Sequence, residues 1–207
     1  MRITAGRLLT AADLAATFLF AVEGALIAAA VGLDLFGIMV IGFVSSLVGG
    51  IIRDVLIGYT TPASLRGAWY PTVAFTGAAL VFLLHQAVEQ LPDILLLWSD
   101  AAGLALFAVV GATKAIDFKL NPLIASLLGM VTAVGGGVVR DILLNRVATI
   151  LQEDIYAVAA LAGAATTVLA RRLGASRALS MALGFLVCFL LRIVSHWQGW
   201  NLPRIGV

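Results

Sequence analysis

Residues 134–146 read VGGGVVRDILLNR, and residues 48–60 read VGGIIRDVLIGYT. Glycines in a row followed by an Arg-Asp pair are loop vocabulary, yet both stretches lie inside apolar runs. Each glycine in a helix interior costs roughly 1 kcal/mol relative to Ala. Gly49, Gly50, Gly135, Gly136 and Gly137 would together cost about 5 kcal/mol in water, and somewhat less in lipid. An arginine or aspartate near the centre of a membrane helix adds about 2.5–3.5 kcal/mol on insertion scales. A phrase that unfavourable, written twice, points to a role in packing or in function.

The composition says which solvent surrounds it. Of 207 residues, 62% are hydrophobic and 12% charged, against about 45–50% and 25% in soluble domains. This is the composition of an integral membrane protein. A window of about 20 apolar residues finds seven spans, near 13–31, 36–58, 71–88, 97–117, 122–145, 154–171 and 178–195. The whole chain, 1–207, reads as one transmembrane domain with short connections. Arg2 and Arg7 before an apolar run resemble a signal peptide. Glu23 interrupts that run, however, and the segment recurs later in the chain, so it reads as the first helix.

Aligning Arg53-Asp54 with Arg140-Asp141 sets an offset of 140 − 53 = 87. At that offset LFAVEGALIA (19–28) falls on LFAVVGATKA (106–115), Asp13 on Asp100, Gly42 on Gly129 and Leu56 on Leu143. The chain is therefore a duplicated unit, repeat one about 13–93 and repeat two about 100–177, followed by a seventh helix at about 178–195. Three spans per unit send the second copy in from the opposite side of the membrane, so the repeats are inverted. Inverted repeats place binding or permeation sites near the midplane, where helices of the two halves face each other.

Two readings of the glycines stand at this point. One is close helix packing through small residues. The other is a kink or break in helices 2 and 5 that turns carbonyls toward a hydrated path, tolerated only where protein or a watery cavity receives them. Ser45, Ser46 and Thr132 on the preceding turn suit the second, as pore-lining hydroxyls. Arg53-Asp54 and Arg140-Asp141 are read either as helix-end side chains reaching the headgroups or as charge at each mouth of a pore. Neighbours on a helix point about 100° apart, so each member of a pair is expected to find its partner elsewhere. Glu23 lies within helix 1. Lys114, near the end of helix 4, is expected to pair with Asp117 three residues on, at a mouth or as an anchor. Arg192 in helix 7 is open to both readings.

Other function classes fail on these residues. The glycine runs lack the order of a phosphate loop, and there is no nucleophile elbow and no HExxH. Cys188 is the single cysteine, and His85 and His196 have no second imidazole at ligand spacing. No enzyme, no metal and no nucleic-acid partner is expected; a net charge of +2 spread over loops gives no basic surface.

Two copies of a GG(G)xxRDxL phrase in a seven-helix chain resemble the prokaryotic relatives of the trimeric intracellular cation (TRIC) channels, a group also described as a glycine-transporter domain (UPF0126). The resemblance spans the whole chain. It implies a homotrimer in a multi-pass cell membrane, the inner membrane of a prokaryote, with one pore per protomer. Each pore is permeable to potassium or sodium and lined by helices 2 and 5, kinked at Gly49-Gly50 and Gly135-Gly136-Gly137. No cofactor is implied beyond the permeant ions, with lipid the one further ligand expected. A secondary transporter of a small amino acid such as glycine suits the same repeats. Arg2, Arg7, Arg66, Lys119, Arg171, Arg172 and Arg177 fall on the N-terminal side, and Arg146 and Arg204 on the other. The positive-inside rule then puts the N-terminus in the cytoplasm and the C-terminus outside.

Overall fold

The computed structural model describes residues 2–84, 93–152 and 155–200. His85, Arg204 and the end of the third span lie outside the described residues. The helices are α1 (Arg2–Ala30), α2 (Leu35–Leu56), α3 (Trp69–Leu83), α4 (Asp93–Asp117), α5 (Pro122–Leu143), a one-turn α6 (Thr149–Gln152), α7 (Tyr156–Arg172) and α8 (Arg177–Gln198), with a 3-10 turn at Ala63–Leu65. Five of them, α1, α2, α4, α5 and α8, are long and apolar enough to cross a membrane. The described part of the third span, α3, has 15 residues, and α7 in the sixth span has 17, about 26 Å at 1.5 Å per residue against a hydrocarbon core of about 30 Å.

Local chemistry sets the helix limits. Asp34, Asn121 and Ser176 cap the starts of α2, α5 and α8 by accepting the N–H of Gly37, Leu123 and Leu179, donors that would otherwise be orphaned. The stops recur at the repeat offset. Gly32 and Lys119 (32 + 87 = 119) end α1 and α4 at positive φ of 79° and 60°, and Gly58 and Asn145 (58 + 87 = 145) end α2 and α5 at 86° and 53°. A left-handed residue closes a helix by turning the chain away from it. Glycine does so without strain, and in the second copy Lys and Asn take the same conformation.

Small residues let the helices approach closely, the usual device where lipid offers no hydrophobic drive between them. A Cβ on Gly42 would stand 2.9 Å from the Ala21 carbonyl oxygen and 2.9 Å from the Ala78 methyl; on Gly129 it would stand 2.7 Å from the Ala108 carbonyl oxygen and 2.6 Å from the Ala164 methyl. The α1–α2–α3 contacts of the first half are thus matched by α4–α5–α7 contacts in the second. Between the halves α1 packs on α4 and α2 on α5, while α8 lies against α4 and α7. Both cross-half pairs run antiparallel. In the first, Asp13 meets Lys114 and Phe20 stacks on Phe107 at 5.3 Å; in the second, Ser45 faces Gly136 while Gly49 faces Thr132.

The helical ladder is not interrupted where a break is expected. α2 and α5 each run as one α-helix through Gly49-Gly50 and Gly135-Gly136-Gly137. The glycines face the neighbouring helix closely: a Cβ on Gly49 would run into the Thr132 carbonyl oxygen, and one on Gly136 into the Ser45 carbonyl oxygen. Backbone meets backbone there, and only hydrogen fits between.

Candidate functional site

The α2–α5 crossing and the charged residues at its two ends form the candidate site. At the crossing, the Ser45 hydroxyl donates to the Ile41 carbonyl at 2.7 Å, Ser46 to Phe43 at 3.0 Å and Thr132 to Leu128 at 2.6 Å. All three residues are buried, and their hydroxyls bond back to their own helices. Ser45 packs over Gly24 of α1, and Thr132 over Gly111 of α4, again one repeat apart (24 + 87 = 111). Gly50 and Gly137 have a different task from Gly49 and Gly136. A Cβ on either would lie 3.5 or 3.6 Å from an Nη2 atom of Arg53 or Arg140, so each arginine folds back along its helix over the glycine three residues before it.

That fold-back explains a pairing the 100° argument missed. Arg53 Nε donates to Asp54 Oδ1 at 2.8 Å, and Arg140 Nε to Asp141 Oδ1 at 2.9 Å. The Arg stem is long enough to bring its Nε back to the neighbouring carboxylate despite the angle between the Cβ atoms. The second oxygen of each aspartate holds the following loop: Asp54 Oδ2 accepts the Ala63 N–H at 2.8 Å, and Asp141 Oδ2 accepts the N–H and hydroxyl of Thr149 at 2.8 and 2.9 Å. Arg53 is 2% exposed and Arg140 3%, which excludes headgroup snorkelling for both.

Around Arg53 a first cluster assembles from four helices. The guanidinium donates twice to Asp13 of α1, at 3.2 and 3.3 Å; Tyr70 of α3 donates to the same carboxylate at 2.9 Å. Lys114 of α4 reaches Asp13 Oδ2 at 3.2 Å and Asp54 Oδ1 at 3.5 Å. The expected Lys114–Asp117 pair is absent: Asp117 instead receives Arg177 of α8 at 2.6 and 2.7 Å. Two buried carboxylates hold the ammonium in the interior, while Asp117, three residues on, is claimed by a cation at the start of the last helix.

The second cluster repeats this plan with exchanged partners. Tyr156 of α7 donates to Asp100 of α4 at 2.9 Å, as Tyr70 does to Asp13. Arg140, however, takes Glu23 of α1 at 2.6 Å, and Asp100 receives Arg192 of α8 at 3.2 Å, with that guanidinium 4.8 Å above the Tyr156 ring. A cavity of about 410 Å³ opens beside this cluster, with Glu23, Asp100, Arg140 and Arg192 in its wall. Since each arginine lies near the C-terminal end of its helix and α2 and α5 are antiparallel, the clusters flank the crossing on opposite sides.

Of the residues expected from sequence, Arg53, Asp54 and Lys114 come together in the first cluster and Glu23, Arg140 and Asp141 in the second. Ser45, Ser46, Thr132 and the glycines lie between them, and Asp117 stands apart. Asp13, Asp100, Tyr70 and Tyr156 were missed as site residues. The coincidence of Asp13 with Asp100 at the repeat offset was the available signal for the acidic pair.

A family model described as "Glycine transporter" matches residues 10–86 and 97–172. The UPF0126 membrane protein of Deinococcus radiodurans is 41% identical over 194 residues, 92% of this chain and 89% of that protein; SCO4104 of Streptomyces coelicolor is 46% identical, covering 95% and 90%. Among solved structures, a TRIC cation channel analysed for its conductance superposes with a TM-score of 0.88 at 35% identity, covering 96% of this chain and 97% of that one. The trimeric intracellular cation channel orthologue from Rhodobacter sphaeroides does so with 0.87 at 35%, covering 93% and 99%. A duplicated helical membrane chain with these relatives on both counts belongs to the UPF0126 family, whose structural relatives are TRIC cation channels.

Proposed function

We propose that the protein is a channel for monovalent cations, potassium foremost, built as a homotrimer of two inverted three-helix repeats plus a seventh helix, with one path per protomer running along α2 and α5. The carrying observation is the glycine crossing of these two helices with a buried charge cluster on each side of it. Ionisable groups at membrane depth mark functional sites, ion paths among them, because burying them in hydrocarbon is so unfavourable. The antiparallel α1–α4 and α2–α5 pairs and the recurring helix stops support the inversion. The crossing is the narrowest point of the path, and passage requires α2 and α5 to separate there. The loop arginines support a cytoplasmic N-terminus, which puts the Lys114 cluster on the inner side and the Glu23 cluster on the outer.

The name of the matching family, glycine transporter, favours a different reading, a carrier for that amino acid. Purified protein in liposomes separates the two. A channel passes potassium down its gradient without saturating at low concentration and shows no glycine counterflow. Glycine counterflow between loaded vesicles, without potassium flux, overturns the channel.

A further inference from the structure

Away from both clusters, α4 ends at Asp117, α5 begins at Pro122 and α7 ends at Arg172, all at one face of the protein. A cavity of about 220 Å³ opens among these three helix ends, walled by Ile116, Leu120, Pro122, Val168, Arg171 and Arg172. Its apolar part, Ile116, Leu120 and Val168, continues the packed alanines and leucine that join α4, α5 and α7 beneath it. Its basic part is the last turn of α7. Arg172 is exposed and makes no hydrogen bond or ion pair among the described residues. Arg171, half-buried, donates from Nη1 to the Ala175 carbonyl at 2.8 Å, which steadies the guanidinium and uses one of its five N–H donors. Asp117 at the same face is paired with Arg177. The repeat offset puts Leu84 in the place of Arg171 (171 − 87 = 84), so the first repeat, whose matching helix end lies across the membrane in the inverted arrangement, has an apolar side chain there.

We propose that this cavity binds the phosphate of an anionic membrane phospholipid, with Arg171 and Arg172 on the phosphate and an acyl chain against Ile116, Leu120 and Val168. The volume admits a phosphate and the first carbons of a chain, and the rest of the lipid stays in the bilayer. The ends of spanning helices stand at headgroup depth, and basic pockets between such helices take anionic headgroups. Arginine suits the task because its fork presents parallel N–H donors to phosphate oxygens. Arginines at a helix end satisfy the charge bias of a cytoplasmic face without any ligand; the apolar cavity among three helix ends is what gives this pair a lipid to hold. With the N-terminus in the cytoplasm, as proposed above, the lipid belongs to the cytoplasmic leaflet, whose surface is anionic. The leaflet rests on that orientation; the site does not.

The test is thermal unfolding of the purified full-length protein in a neutral detergent at constant ionic strength, titrated with phosphatidylglycerol, with phosphatidylcholine of the same acyl chains, or with inorganic phosphate. Phosphatidylglycerol should raise Tm saturably, and the other two should not. Arg172→Gln removes no bond among the described residues, so it should unfold as wild type does without lipid and raise the half-saturating phosphatidylglycerol at least threefold. Changing Arg171 to Gln as well should raise it at least tenfold. Arg146→Gln, an exposed arginine beyond the other end of α5, should titrate as wild type. Absence of stabilisation by phosphatidylglycerol, equal stabilisation by phosphatidylcholine, or an unchanged titration of Arg172→Gln overturns the site. So does an Arg146→Gln variant weakened as much as Arg172→Gln, since the effect is then a general attraction to basic surface. Inorganic phosphate raising Tm as far as the lipid does overturns the lipid in favour of a free anion. None of these readouts uses ion flux, so failure here leaves the channel proposal standing, and absence of flux leaves the lipid site standing.

Discussion

The Lys114 ammonium stands 3.2 Å from Asp13 Oδ2, joining the fourth helix to the first across the boundary between repeats. With Lys114 removed, Arg53 alone faces Asp13 and Asp54, and the first cluster gains one negative charge. Lys114→Ala should therefore raise potassium conductance at low salt, with the gain fading toward 1 M, where the Debye length falls to about 3 Å. Stability should drop by roughly 1–3 kcal/mol, because Arg53 still compensates the carboxylates in part. Unitary conductance across a salt series checks this; a variant equal to wild type at low salt would assign Lys114 a purely structural role.

At the crossing, Gly136→Ala should destabilise although alanine is the better helix former. Its methyl meets the Ser45 backbone carbonyl, which cannot move without shifting α2, and overpacking of this kind costs about 1–3 kcal/mol. Gly67→Ala, with nothing within 4 Å of the added methyl, serves as the neutral control. Equal melting of the two variants in detergent would mean that the helices do not touch there.

Asp117 and Arg177 are 36% and 23% exposed at their side chains, so their ion pair contributes no more than about 1 kcal/mol. Asp117→Asn should leave both conductance and its salt dependence unchanged. A conductance change matching that of Lys114→Ala would restore the Lys114–Asp117 pairing that local spacing suggests.

Orientation has its own test. In a Cys188→Ser background, single cysteines within residues 60–68 and 172–177 should label from one face of sealed vesicles, and cysteines within 146–152 from the other. Labelling of all three groups from one side would be incompatible with the inverted arrangement.

The helical membrane fold was legible because its causes are periodic: long apolar runs and an 87-residue self-match. The site was half legible. Arg53 and Arg140 stood out as charges in apolar surroundings, but their partners come from 40 and 117 residues away, and no spacing rule reaches that far. Local reasoning misled twice. It set Arg53 and Asp54 apart by the helical angle, overlooking the reach of a folded-back guanidinium, and it gave Lys114 its nearest neighbour in sequence in place of Asp13 on another helix. The glycines were ambiguous for a physical reason: a residue without a side chain serves a bend and a close approach equally well, and the close approach is visible only once the facing carbonyls of Thr132 and Ser45 are in place.

The central claim is that cations pass through this protein, and the unitary current of the purified wild type in a planar bilayer under a potassium chloride gradient tests it most directly. The account predicts discrete openings whose current reverses near the potassium equilibrium potential, and a similar shift when sodium replaces potassium. Reversal near the chloride potential, or the absence of any unitary current from protein shown to be intact and inserted, would contradict it.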